Sequence, residues 1–261
     1  MTPGGRRGTV CLTFDNMGAA LQVGRKERAA PDFDDPALTV GFPAILAMLD
    51  DVGAKGTFFI EGWNALHHPD HVRQVAAAGH EIGVHGWVHE AFASLDPIDS
   101  ERVIVDALAA FRNLGIFPTG FRAPGGRRSP SQADLLVRLG FDYDSSLELD
   151  DPADGAFEGP RQMTNGLVNV PWNYPQIDNY HFAIARNDRA GGPLTPDQFA
   201  DEWCGRIDQA AETGSLVTFI VHPAVTGIDE ARTAALGQVL RHAIEHPSVD
   251  LLTACQVASL T

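Results

Sequence analysis

The chain has 261 residues, 44% of them hydrophobic, and a formal charge of −15 from 34 acidic against 19 basic side chains. Such a field repels phosphate backbones and anionic lipid surfaces, which argues against nucleic acid and membrane partners. It leaves room for a small-molecule substrate and leaves a homo-oligomer open. No apolar run approaches the ~18 residues of a membrane span, and the short basic start over residues 1–8 lacks a signal-peptide core. The expectation is a cytoplasmic protein. Cys11, Cys204 and Cys255 are odd in number and far apart, a pattern of reduced thiols rather than of a disulfide framework or zinc knuckle.

In chain order, apolar runs at residues 9–14, 56–60, 81–84, 119–122, 141–145, 167–171, 216–221 and 250–253 predict strands. Several are apolar throughout, as strands covered on both faces should be. Amphipathic segments at residues 42–51, 69–78, 99–114, 130–139, 196–213 and 230–245 predict the helices between them. Thr195–Pro196 and Ser129–Pro130 read as N-caps followed by proline at the first helical position. Gly53, Gly79, Gly115, Gly140 and Gly214 fall where left-handed C-terminal caps belong.

This alternation predicts one α/β domain over residues 1–261, with a parallel sheet and right-handed crossovers. The strand count favours a closed (β/α)7–8 barrel over an open doubly wound sheet, and no G-x-G-x-x-G follows the first strand. Three stretches break the rhythm: residues 16–40, 148–166 and 172–192. Each follows a strand, so each emerges at the C-terminal mouth of a barrel, where active sites are built.

The chemistry-bearing residues fall at the same ends. Asp15 closes the first strand, His85 and His89 follow the third, Arg122 closes the fourth, Asp144 lies in the fifth and His222 closes the seventh. His85 and His89 can offer imidazole nitrogens to one divalent cation, with zinc the expected ion. Water on such a cation titrates near neutrality, at a pKa of about 7. Asp15 is then the expected base, His222 the acid for a leaving nitrogen, and Arg122 the partner that keeps Asp15 ionised. Asp144 is a weaker catalytic candidate, with a rim salt bridge as the alternative. Glu81 and Glu90 could orient an imidazole, but local ion pairs or solvated acids explain them better. Trp87, Trp172, Tyr174 and Pro124 are the candidates for the substrate pocket. His67, His68 and His71 cluster around Pro69 and read as surface capping of a helix remote from the strand ends.

Taken together, these residues resemble the polysaccharide deacetylase family (carbohydrate esterase family 4). Thr13-Phe-Asp-Asn16, His85-Gly-Trp-Val-His89, Phe121-Arg-Ala-Pro-Gly125, Asp142-Tyr-Asp-Ser-Ser-Leu147 and Val221-His-Pro223 match its motifs in order. The finer pattern is similar to the branch holding cyclic imide hydrolases, allantoinase-like proteins and an intracellular-type peptidoglycan deacetylase. The resemblance implies a distorted barrel, C–N bond hydrolysis and an Asp/His/His metal site. It carries Asp15 as base, His85 and His89 as ligands and His222 as acid. The departure is Asn16, which stands where sugar deacetylases place a ligand carboxylate; Met17, the position the imidase branch uses, is no acid either. A further departure is Ile228, where the branch usually has arginine.

The expected activity is metal-assisted deacetylation or amide hydrolysis on a small soluble substrate. The alternatives are a cyclic imide or ureide hydrolase, metal-independent in one version, and a non-hydrolytic biosynthetic or ligand-binding barrel.

Overall fold

Strand parity organises the molecule. Along β1 (Gly8–Asp15), Val10, Leu12 and Phe14 join the apolar layer beneath the helices, which leaves Cys11, Thr13 and Asp15 on the inner face. The computed structural model describes residues 7–151, 158–182 and 192–261. The other main strands are β2 (Thr57–Ile60), β3 (Glu81–Val84), β4 (Gly120–Phe121), β5 (Tyr143–Asp144), β6 (Val168–Asn169), β7 (Leu216–Val221) and β8 (Val249–Leu252). They curl into a parallel sheet in the order β7–β1–β2–β3–β4–β5–β6, with β8 pairing the lower half of β1. This is the distorted barrel expected from the sequence.

The helices are α1 (Phe42–Val52), α2 (Pro69–Ala77), α3 (Pro97–Asn113), α4 (Pro130–Arg138), α5 (Pro196–Thr213) and α6 (Glu230–Glu245). Thr195 and Ser129 make the expected caps, each with a reciprocal glutamine three residues on. Gly53 and Gly214 end α1 and α5 in the left-handed conformation, at φ of 70° and 68°.

The barrel interior is filled by Cys11, Phe59, Tyr143 and Val170, and its lower end is closed by the short helix Ala254–Ala258. Close packing here depends on missing side chains: a Cβ on Gly120 would lie 2.1 Å from the Tyr143 ring. Glu81 ties the floor together rather than reaching the site. It accepts from Thr57 Oγ1 and Tyr143 Oη, both at 2.6 Å, and from the Cys255 N–H at 3.0 Å.

The barrel does not close by a backbone ladder. Among the described residues β6 and β7 are joined by Thr218 Oγ1 donating to the Pro171 carbonyl at 2.7 Å and by a single bridge between Ile177 and Ile220. Proline has no N–H for a ladder. β4, β5 and β6 are also shorter than the apolar runs predict. The stretch 148–166 holds more structure than expected: Arg161–Gln162 pairs antiparallel with β6, and Arg127–Arg128 pairs with Leu147–Glu148. Residues 152–157 of that stretch, 183–191 of the stretch 172–192, and 1–6 of the basic start lie outside the described residues.

Candidate active site

The parity that sends Asp15 inward does the same for His85, Arg122 and His222. Each continues the inner face of its strand just past the last paired residue. They converge on a cavity of about 340 Å³ at the C-terminal mouth, which Asp15, Asn16, His85, His89, Arg122, Trp172, Tyr174 and His222 all line.

Arg122 crosses the barrel from β4 and is 1% exposed. Its Nη1 donates to Asp15 Oδ1 at 2.7 Å and to Thr13 Oγ1 at 2.8 Å; Nε and Nη2 donate to the carbonyl and hydroxyl of Ser145. The guanidinium stacks 4.3 Å from the centre of the Phe59 ring. Burial alone would raise the Asp15 carboxyl, but Arg122, helped by His85 and His222, outweighs it and holds the group below its ordinary value.

His85 Nδ1 lies 2.9 Å from the Arg122 carbonyl. That oxygen can only accept, so Nδ1 carries the proton and Nε2 is left as a lone-pair donor. The His89 ring centre is 5.0 Å away, nearly perpendicular. Burial pushes the His89 imidazole down to about 3 and lowers His85 as well, which favours the uncharged form of each. Their turn is held by Glu90, whose carboxylate accepts the N–H groups of Trp87 at 3.0 Å and Val88 at 2.9 Å. Asn16 and His89 both sit at positive φ, 61° and 62°, a conformation non-glycine residues hold when the surroundings impose it.

His222 leans on a residue that the sequence reading did not single out. Asp178, fully buried, accepts from His222 Nδ1 at 2.7 Å, from the His222 N–H at 2.8 Å and from Thr226 Oγ1 at 2.7 Å. Burial works against the imidazolium, but Asp178, and after it Asp15, outweighs burial and raises the His222 pKa. Asp178 lies 44 residues upstream, at the start of the short helix Asp178–Phe182, so no spacing rule connects the two. The available signal was an acid in the segment after one strand, facing the end of the next.

Other candidates fall elsewhere. Asp144 points away from the cavity, into an ion pair with Arg128 at 2.5 Å, and accepts from Ser146 Oγ at 2.5 Å. Its parity is opposite to that of Tyr143 and Ser145, which face inward. Trp87 packs against the core and Pro124 against Gly86, and neither lines the described cavity. His68 is buried rather than at the surface and makes no side-chain cap; it packs on Phe33, Trp63 and His71. Arg232, four residues beyond Ile228, donates to the Val225 carbonyl and stacks on Phe182.

Residues 3–143 match the family model for polysaccharide deacetylase. The chain belongs to the polysaccharide deacetylase family. A peptidoglycan deacetylase-like protein of Gibberella zeae is 36% identical, covering 84% of this chain and 75% of the relative. The peptidoglycan deacetylase of Helicobacter pylori is 24% identical, covering 84% and 83%. A crystal structure from Mycobacterium smegmatis, described as a polysaccharide deacetylase, superposes with a TM-score of 0.85 at 26% identity, covering 100% of this chain and 92% of its own. The allantoinase Puue superposes at 0.79 with 21% identity, over 98% and 91%, a likeness of fold alone. This deacetylase-family chain is a hydrolase of carbon–nitrogen bonds other than peptide bonds, in a family that generally uses a divalent metal.

The cavity fits such an ion on its donor chemistry. Two imidazoles are present, and the Asn16 amide oxygen is buried with no hydrogen-bond partner. A buried orphan acceptor is costly unless something meets it. The set lacks charge: no group of three or more His, Cys, Asp or Glu suited to a metal occurs among the described residues.

Proposed function

We propose that this deacetylase-family chain removes an acyl group from nitrogen on a small soluble molecule, with Asp15 as base and His222 as acid. The observation that carries the reading is the opposed tuning of these two groups on neighbouring strands. Asp15 is held ionised and His222 is biased toward its charged form, which is how acid and base roles separate within one site. His85 and His89 would hold a divalent cation, most suitably zinc, with Asn16 as a neutral third donor. Bound there, the ion would lower the pKa of water and polarise the acyl carbonyl. That help matters, because a carboxylate held below its ordinary pKa is a weak base for free water.

The residues of the chain supply the remaining steps. Asp15 takes a proton as the water oxygen bonds to the acyl carbon. His222 delivers its proton to the nitrogen as the C–N bond breaks, giving a carboxylic acid and an amine. Asp178 keeps the imidazole oriented and stabilises its charge, the role of the third member of a hydrolytic triad. Trp172 and Tyr174 supply an apolar wall for the substrate. The three unpaired thiols suit a reducing compartment, in keeping with a cytoplasmic enzyme.

Asn16 favours a second reading, hydrolysis of a cyclic imide or ureide without metal. Metal analysis followed by assays on N-acetyl sugars, N-acyl amines and cyclic imides separates the two. On the first reading, turnover of an N-acyl substrate is lost in strong chelator, returns with zinc, and falls at least ~10³-fold in Asp15→Asn and His222→Ala. Full turnover of metal-free protein would sink it.

A further inference from the structure

The wall of the cavity formed after β1 carries groups that the proposed hydrolysis does not use. The short helix Ala20–Gly24 runs along the mouth, and Gln22 and Arg25 line the same cavity as Asp15, His89 and His222. The position of this arm is set by contact: a Cβ on Gly24 would lie 2.3 Å from the Val88 carbonyl oxygen. Glycine alone lets the arm rest directly on the turn that carries His89. Lys26 follows at a φ of 59° and is not among the residues that line the cavity.

Of the two arginines lining the cavity, Arg122 is fully engaged with Asp15, Thr13 and Ser145. The Arg25 side chain makes no ion pair or hydrogen bond among the described residues. Its acidic chain neighbours do not neutralise it: Asp32 is taken by Arg28, and Glu27 forms no ion pair with it. Beside it, the Gln22 side-chain oxygen is buried and unpartnered, an acceptor ready for an N–H. The facing wall, with Trp172, Ile177, Ile220 and Val225, is largely apolar.

Resting on the hydrolase reading, we infer that Arg25 is a specificity-determining residue and that the substrate is a small N-acyl compound bearing a carboxylate away from the scissile amide. An arginine fork matches a carboxylate in two parallel hydrogen bonds. One unspent cation balances one negative charge, which suits a carboxylate better than a doubly charged phosphate. In a chain of net charge −15, an anionic substrate is repelled at long range. Arg25, exposed at the mouth, is a local positive charge against that field. A cavity of about 340 Å³ suits a compact ligand of amino-acid scale.

The test compares N-acyl amino acids with their primary carboxamides, which differ only in the charge. The wild-type enzyme should favour the acid by about 10- to 100-fold in kcat/KM, the worth of a charge-assisted pair, expressed mainly in KM. Arg25→Gln should collapse this ratio toward one, and Arg25→Lys should retain part of it. Lys26→Gln, which removes the same charge outside the cavity, should keep the wild-type ratio. A wild-type ratio near one, or a ratio that survives Arg25→Gln, overturns the inference while leaving the hydrolase reading intact. If no compound of either type is cleaved, the hydrolase reading is what fails for them. The role of Arg25 is then read by calorimetric binding of the same pairs. Tighter binding of the acid that disappears in Arg25→Gln supports it, and equal binding of acid and carboxamide overturns it.

Discussion

At the scale of single residues, the site is governed by where charge is held and where it is withheld. Asp178 supplies the charge behind His222, and replacing it with asparagine keeps the shape while removing the carboxylate. For the wild-type enzyme, kcat/KM should rise with pH through the depressed Asp15 pKa and fall as His222 loses its proton, above the ordinary imidazole value. In Asp178→Asn the alkaline limb should move to lower pH, because burial, which disfavours the imidazolium, is then opposed by Asp15 without the Asp178 carboxylate. The rate at the optimum should drop by roughly 10²–10⁴-fold, as when a triad loses its orienting acid. A pH–rate profile reads both effects; an unmoved alkaline limb would show that His222 is not the titrating acid. Asn16 is the converse case, a position where charge is absent. Asn16→Asp should raise affinity for zinc by at least ~10-fold, measured by competition with a chromogenic chelator, because a carboxylate replaces a neutral amide oxygen. Asn16→Ala should lower it.

At the scale of elements, alternation along the strands explains both what the sequence disclosed and what it hid. The apolar runs and their glycine and N-cap punctuation were enough to read the barrel, because strand and helix periods differ so plainly. The inward register of Thr13, Asp15, His85 and His222 was legible from the same alternation. Asp144 is instructive in the same terms: one step from the inward Tyr143 and Ser145, it had to face the other way, toward Arg128. Parity carried that information, whereas the motif drew attention to the acid. Asp178 was not legible, since its pairing with His222 is made by tertiary folding of a five-residue helix too short to show a period in the sequence. The turn joining the two histidines is similar, because Glu90 holds it through backbone N–H groups that no spacing rule reveals. Glu90→Ala should free both N–H groups, cost about 1–2 kcal/mol of stability, and weaken zinc binding by roughly 10–100-fold, as for a lost orienting partner. Thermal melting with and without zinc checks this: the shift on adding zinc should be smaller in the variant than in wild type.

At the scale of the whole molecule, the break in the barrel lies beside the cavity. Between β6 and β7 the sheet is held by side chains, with Thr218 Oγ1 on the Pro171 carbonyl and Gln176 Oε1 accepting the N–H groups of Asn173 at 3.1 Å and Thr218 at 3.4 Å. The chain then runs directly into Trp172 and Tyr174, which form part of the cavity wall. Stability and substrate fit therefore share one joint, and they should fail together. Thr218→Val preserves shape but leaves the Pro171 carbonyl buried without its donor, a loss of about 1–3 kcal/mol. For a chain of this size that lowers Tm by roughly 2–12 °C. It should also raise KM, because Trp172 donates its indole N–H to the Ser145 carbonyl and cannot follow a shifted Pro171 without straining that bond. Thr218→Ser, which keeps the hydroxyl, should restore most of both quantities. A valine variant that melts lower yet keeps the wild-type KM would show that the joint supports the fold without setting the wall.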